Sequence, residues 1–388
     1  MIYDTSSLSV FIDLSTYCNA GCPQCHRTNP KNLEKNDWLP LVQWSLEEFK
    51  NAFSIEDMAS VKTFKICGTF GDPILNKDIF KIVEYIMRNS FCSVSIDTNG
   101  SIRNEDWWWD FGVMAGKRLG VVFAVDGINQ EMHETYRRFT DLNKVLANME
   151  MLSQTTATVK SQTILFKHNQ DYKKEIQDLV YSKGSSFHEV VISDRFDRFS
   201  NTREYGGEGA VEEFKLIKAS SDSLKNPYIS GARNLQKSPQ PKDLKTVNSP
   251  AQIQAIQIQV KPQQAAKPSL THKIKCRWGL PRNEILINPD GQVLPCCYHG
   301  NNLYRESFGQ FYDEKNKLKD NPHYAEYMSN KEKYNIFTND IKSIMESDFF
   351  THDLEKSFDS DSPIPTCALN CSSRIKKEHQ LREKFKRD

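Results

Sequence analysis

The stretch LSVFIDLSTYCNAGCPQCHR, residues 8–27, decides how the rest of the chain reads. Its first half alternates. Val10, Ile12 and Leu14 fall on one face at period two, the pattern of a strand with one buried side. Its second half places Cys18, Cys22 and Cys25 in a C-x3-C-x2-C loop directly after that strand. Three thiolates on one tight loop can hold three irons of a [4Fe–4S] cube and leave the fourth iron without a protein ligand. Zinc is the competing metal. It wants a fourth donor, and His26, adjacent to Cys25, is sterically poor for the same ion.

The bulk numbers suit a soluble enzyme-sized chain. Its 388 residues allow two domains or one large one with an appendage, and 38% are hydrophobic, enough for a real core. Lys and Arg number 51 against 50 Asp and Glu, a net charge of +1, which argues against nucleic acid or an anionic membrane as partner. No apolar run reaches the roughly 18 residues of a spanning helix. The start, MIYDTSSLSVFIDLS, lacks the basic and long apolar regions of a secretory signal, so the reading is cytoplasmic. Cysteines stay reduced there, and the ten in this chain read as ligands, catalysts or small buried residues.

Outward from the first strand, strand-like and helix-like segments alternate. VKTFKIC (61–67), CSVSIDT (92–98), LGVVFAV (119–125), TVKSQTILF (158–166) and HEVVIS (188–193) read as strands. LGVVFAV is apolar enough for burial on both faces. Helices are expected over 45–53, with Ser45 as cap, over 76–90, 104–117, a stretch through Met151, and 171–184. Six β-then-α units predict a parallel sheet with right-handed crossovers, a partial (β/α)6 TIM-like barrel. A doubly wound open sheet is the competing topology. Cys67 and Cys92 lie in strands and read as small buried residues. Trp107, Trp108 and Trp109 cannot share one helix face, so at least one should be exposed.

The alternation ends near Ile217. Residues 217–273 are rich in Ser, Pro, Gln and Lys and read as a flexible linker, with IQAIQIQV (253–260) the one strand candidate. The chain thus divides into 1–216, 217–273 and 274–388. The last part opens with Cys276 and contains NEILINPDGQVLP, a β-hairpin turning at Asn288–Gly291. A hairpin brings Cys276 and Cys296 side by side, with Cys297 next in sequence. PTCALNC later adds Cys367 and Cys371. The tail RIKKEHQLREKFKRD reads as a solvated helix.

The cysteine spacing resembles that of the radical S-adenosylmethionine (radical SAM) superfamily, and further stretches match in order. GTFGDP (68–73) looks like the family's Gly-Gly-Glu-Pro motif in a Gly-Asp-Pro form. DTNG (97–100), AVDG (124–127) and YRRF (136–139) follow where members carry related residues. The resemblance covers roughly 8–195. It implies a cluster on Cys18, Cys22 and Cys25 whose open iron is chelated by S-adenosylmethionine. It also implies reductive cleavage to a 5′-deoxyadenosyl radical that abstracts a substrate hydrogen. By the same resemblance, Gly71, Asp72 and Pro73 meet the methionine amino group, and Thr98 and Asn99 line the pocket. Asp126 and Arg137 or Arg138 reach the ribose or carboxylate.

Two positions depart from the family: Gln24 stands where an aromatic residue is usual, and Ala124 where Ser is usual. The second half resembles the auxiliary-cluster extension called SPASM or, shortened, Twitch. That implies a small α+β domain built on the hairpin, with one auxiliary [4Fe–4S] cluster. Cys276, Cys296, Cys367 and Cys371 would be its ligands, with Cys297 as spare or in exchange for Cys296. A four-cysteine zinc site is the alternative. The implied partners are a peptide or small-molecule substrate and a flavodoxin- or ferredoxin-type electron donor. Peptide or protein leads as substrate, with a sugar, aminocyclitol or nucleotide behind. The rival class is a non-catalytic iron–sulfur or zinc protein that binds a partner. His133, Arg195, Asp197 and Arg198 lie near strand ends as undecided acid or base candidates. Tyr298 and His299 face either the active site or the surface.

Overall fold

The computed structural model describes residues 2–193, 195–196, 202–205, 214–224, 274–311, 317–372 and 382–386. Asp197, Arg198, the segment IQAIQIQV and most of the expected linker lie outside the described residues. Strands β1 (Leu8–Ile12), β2 (Val61–Ile66), β3 (Ser93–Thr98), β4 (Leu119–Ala124), β5 (Thr158–Leu165) and β6 (Phe187–Ile192) lie side by side in chain order. Every neighbouring pair among them is parallel. A doubly wound sheet reverses its strand order at a switch point. This one runs monotonically, which selects the partial barrel over the competing topology.

Helices cover the outer face for reasons visible in their sequences. Ser45 caps Leu46–Ala52 in a reciprocal capping box with Glu48. Ile79–Asn89 turns Ile79, Ile82, Val83 and Ile86 onto the sheet, each fully buried. Burial of each such side chain is worth about 1.5–3 kcal/mol. Glu105–Ala115, capped by Asn104, buries Trp108 at 0% exposure and leaves Trp109 at 40%, as three consecutive tryptophans require. The stretch expected to be helical through Met151 is two helices, Gln130–Glu134 and Leu142–Ser153.

The inner face differs from expectation. LGVVFAV is not buried on both sides: only alternate residues of β4 are buried, and Val122 and Ala124 line an open cavity. Polar pairs occupy the same lumen, including Lys65 with Glu284 at 2.8 Å and Gln162 with Glu189 at 2.7 Å. Cys92 is buried and donates to Val61 O, as a small core residue would, whereas Cys67 lines the cavity and donates to Asp13 Oδ1.

Three additions complete the sheet architecture. Strands β7 (Thr202–Tyr205) and β8 (Phe214–Ile217) form an antiparallel hairpin that packs Tyr205 and Leu216 with Ala20 and Cys22 of the cysteine loop. The hairpin expected at 283–295 forms as β9 (Glu284–Ile287) and β10 (Val293–Leu294). Instead of standing apart, β9 pairs in parallel with β1, so the hairpin extends the barrel sheet. The described residues of the tail are a strand and not the expected helix: Arg382–Lys386 forms β11, antiparallel to β6. A strand at a sheet edge has unpaired backbone groups, and β9 and β11 satisfy those of β1 and β6. Residues 1–225 and 272–388 accordingly form one compact unit.

Candidate active site and cluster-binding cysteines

Loops at the C-terminal ends of the parallel strands build the site, where barrels of this kind carry their chemistry. Cys18, Cys22 and Cys25 share the rim of a cavity of about 360 Å³. Hydrogen bonds from neighbouring loops fix their own loop. Asp72 N donates to Tyr17 O at 2.7 Å, Gly21 N to Arg138 O at 3.0 Å, and Arg27 Nε to Thr16 O at 3.1 Å. Gly71 sits where a Cβ would lie 2.2 Å from Ser15 O, so only glycine lets the second loop press against the first.

Asp72 bolts the second loop to the third. Its buried carboxylate accepts from Thr98 Oγ1 at 2.9 Å, Asn99 N at 2.7 Å and Ile74 N at 3.0 Å. Burial raises its pKa against these bonds. Asn99 Nδ2 in turn donates to Asn19 Oδ1 at 2.9 Å and approaches Cys18 Sγ at 3.8 Å. Asn19 Nδ2 donates to Ser101 Oγ at 2.9 Å, a residue the sequence reading passed over. Pro73 is buried and starts the turn Pro73–Leu75.

The fourth loop contributes a charge. Asp126, fully buried, accepts from Arg137 Nε and from Ile164 N, both at 2.6 Å. Arg137 Nη1 stands 4.0 Å from Cys22 Sγ, and the residue lines the cavity. Burial pushes the Cys22 thiol up to about 11, and the Arg137 charge opposes it. The Cys18 thiol is raised well above its ordinary value by burial, then by Asp72 and the two neighbouring cysteines. Arg138 points elsewhere, with its guanidinium 4.4 Å from the centre of the Phe214 ring. Between the two arginines offered by the sequence, the geometry brings Arg137 to the cysteines.

His133 is a support rather than a base. Asp126 N donates to its Nδ1 at 3.2 Å, and its Nε2 lies 3.0 Å from Thr140 Oγ1. Because Thr140 donates its own proton to Arg137 O, Nε2 must carry the imidazole proton. Burial lowers the pKa to about 4, which keeps the ring neutral. Gln24 fills its non-aromatic position by accepting from Ser193 Oγ at 2.6 Å, while Arg195 Nη1 donates to Gln24 O at 2.7 Å. Ser193 and Arg195 line the cavity where β6 ends; the strand-end rule that flagged Asp126 would also have found Ser193.

In the second half, Cys276, Cys296, Cys367 and Cys371 line one small void. Cys297 does not. Cys296 is the N-cap of helix Cys297–Glu306, so the next side chain turns away; Glu284 and Asp13 are the charged groups that act on Cys297. His299 is neither at the surface nor in the active site. It is buried, with Nε2 3.2 Å from Cys367 Sγ and Nδ1 bonded to the Tyr324 hydroxyl. Burial lowers its pKa to about 3. Tyr298 lines the same void, edge-on to Trp278. From that helix Asn301 reaches the barrel cavity.

Among the described residues, no group of three or more His, Cys, Asp or Glu side chains is tight enough to hold a single metal ion. The fit to clusters rests on donor chemistry: three thiols on one cavity rim, and four around one void, with buried donors at hand. Such surrounding bonds orient and tune thiolate ligands.

A model of the SPASM family, an iron-sulfur cluster-binding domain, matches residues 276–372. Residues 276–372 belong to the SPASM family. They follow a six-unit partial barrel that carries, after its first strand, a cysteine loop of the radical SAM type.

A probable GTP 3′,8-cyclase of Thermococcus kodakarensis is 29% identical over 46% of this chain and 55% of its own length. The chain therefore spans about half the length of the curated relatives it matches. SuiB of Streptococcus suis shares the fold at a TM-score of 0.50 and 12% identity, over 89% of this chain and 67% of that one. The structure of native anSMEcpe with bound AdoMet and Kp18Cys peptide superposes at a TM-score of 0.50 and 15% identity, over 91% and 84%. No helix among the described residues is long and apolar enough to cross a membrane.

Proposed function

We propose that this chain is a cytoplasmic enzyme that cleaves S-adenosylmethionine reductively and abstracts a hydrogen atom from a peptide substrate. Cys18, Cys22 and Cys25 would hold the catalytic [4Fe–4S] cluster. Cys276, Cys296, Cys367 and Cys371 would hold an auxiliary one, and a flavodoxin- or ferredoxin-type protein would supply electrons. The reading is carried by the cavity: three thiols, the Asp126-held guanidinium of Arg137 and the Gly71–Asp72 loop share its wall.

When bound, the cluster and S-adenosylmethionine supply one-electron cleavage of a carbon–sulfur bond and hydrogen-atom abstraction. The protein's own residues orient and shield. Arg137 offers a fixed cation to a carboxylate, pre-oriented by Asp126. Asp72, Thr98 and Asn99 hold three loops in register. Ser193, which donates to Gln24, lines the same cavity.

A peptide is favoured because the whole-chain likeness, SPASM domain included, is to anSMEcpe with its bound peptide, over 91% of this chain. The likeness to GTP 3′,8-cyclases supports a purine nucleotide as the second reading. The test is anaerobic reconstitution followed by dithionite reduction. About eight irons per chain and release of 5′-deoxyadenosine are expected for two four-iron clusters. Peptide libraries and GTP, supplied separately, then decide the substrate. Bound zinc with no cleavage would instead establish a non-catalytic metal protein.

A further inference from the structure

The void lined by Cys276, Cys296, Cys367 and Cys371 has no Asp, Glu, Lys or Arg among its described lining residues. Two side chains bring N–H donors to it instead. His299 lines it with Nε2 3.2 Å from Cys367 Sγ. The Tyr324 hydroxyl, on a fully buried side chain, bonds His299 Nδ1 and has no other hydrogen-bond partner among the described residues. A thiolate at Cys367 has no proton to share. One arrangement then satisfies every atom: Tyr324 donates to Nδ1, and Nε2 carries the ring proton and donates to Sγ. Trp278 also lines the void, and its buried Nε1 has no hydrogen-bond partner in the structure. An indole nitrogen donates only. A buried donor left unbonded is costly, so this position calls for an acceptor that occupies the void.

We propose that His299 and Trp278 set the reduction potential of the auxiliary cluster by donating N–H hydrogen bonds to its sulfur atoms, with Tyr324 fixing the His299 tautomer. The inference rests on the proposed assignment of this void to a [4Fe–4S] cluster. Reduction adds one negative charge to a cluster already held by four thiolates. With no charged side chain on the described wall, neutral donors are what remains to offset that charge. An N–H bond in a low-dielectric interior is electrostatically stronger than in water, and it favours the reduced form, whose sulfur atoms are the more negative. The backbone adds a third donor, Gly279 N to Cys276 Sγ at 3.3 Å. The step is one electron from an outside reductant into the cluster. No proton moves, because both side-chain N–H groups keep theirs. Trp278 follows Cys276 by two residues and His299 follows Cys296 by three, so each donor is carried on the same stretch as a ligand.

The experiment uses the full-length chain carrying Cys18→Ala, Cys22→Ala and Cys25→Ala, reconstituted anaerobically, so that only the auxiliary site takes up iron. About four irons per chain are expected. Dithionite titration followed by electron paramagnetic resonance then reads the midpoint potential. In this parent, His299→Leu and Trp278→Phe should each lower the midpoint by about 59 mV or more, a tenfold loss in the reduced-to-oxidised ratio for one electron. His299→Gln keeps an N–H at similar reach and should stay within about threefold, or about 28 mV. Equal shifts in His299→Gln and His299→Leu would overturn the inference, since lost packing alone would produce them. So would an unmoved midpoint in either His299→Leu or Trp278→Phe. Where His299→Leu holds fewer than four irons, Trp278→Phe decides by the same reading. Failure of the parent to hold a four-iron cluster would refute the cluster assignment in the proposed function instead, a separable result.

Discussion

Replacing Asp126 by Asn tests how the cation near the cysteines is held. Asp126 has 0% side-chain exposure and Arg137 15%, and their 2.6 Å contact is largely removed from water. Removing one partner of a buried pair leaves the other charge uncompensated, at about 3–5 kcal/mol. Asn keeps an acceptor for Ile164 N, so the lower end applies, about 3 kcal/mol. With a denaturant slope of about 3 kcal/mol/M in urea, the midpoint should drop by about 1 M. The assay is urea unfolding of reconstituted Asp126→Asn, Arg137→Met and the double variant, followed by circular dichroism. If the cost is the stranded guanidinium, the double variant loses at least about 1.5 kcal/mol less than the sum of the singles. Additivity within about 0.5 kcal/mol would refute the argument that Asp126 acts by neutralising and aiming Arg137.

Other tests follow from single contacts. Cys296→Ala should lose about four irons per chain while Cys297→Ala keeps them, read by iron assay and Mössbauer spectroscopy; equal loss would contradict the placement of Cys297 outside the void. Gly71→Ala forces a Cβ to 2.2 Å from Ser15 O and should lower stability by about 2 kcal/mol, with weaker S-adenosylmethionine binding by calorimetry. His133 has its pKa lowered from 6.5 to about 4, so the unfolded chain takes up a proton that the native one resists. Its contribution is present above about pH 6.5 and is lost as pH falls toward 4, on the order of 3 kcal/mol in all. His133→Asn should therefore show a shallower stability loss over that window; an unchanged slope would count against a neutral buried imidazole.

Much of the barrel was legible in the sequence because its signals are local. Alternation in β1, the stripe Ile79–Ile86 and the caps Ser45 and Asn104 each act within a few residues, and the structure places these elements within a few residues of expectation. The cysteine loop and the Asp72 and Asp126 turns were readable too, since strand ends in such a sheet fall on one rim. Features set by tertiary direction were not. The choice between adjacent residues, Cys296 over Cys297 at the void and Arg137 over Arg138 at the cysteines, depends on where one helical step points a side chain. The pairing of β9 with β1 and of β11 with β6 joins residues some 190 to 275 positions apart, and edge hydrogen bonds leave no mark on either segment alone. LGVVFAV misled because apolar residues facing a ligand cavity look the same in sequence as residues facing a packed core. Sequence alone determined which chemistry the chain carries; the fold decided which atoms meet, because convergence of distant loops is a property of the assembled sheet and of no single stretch within it.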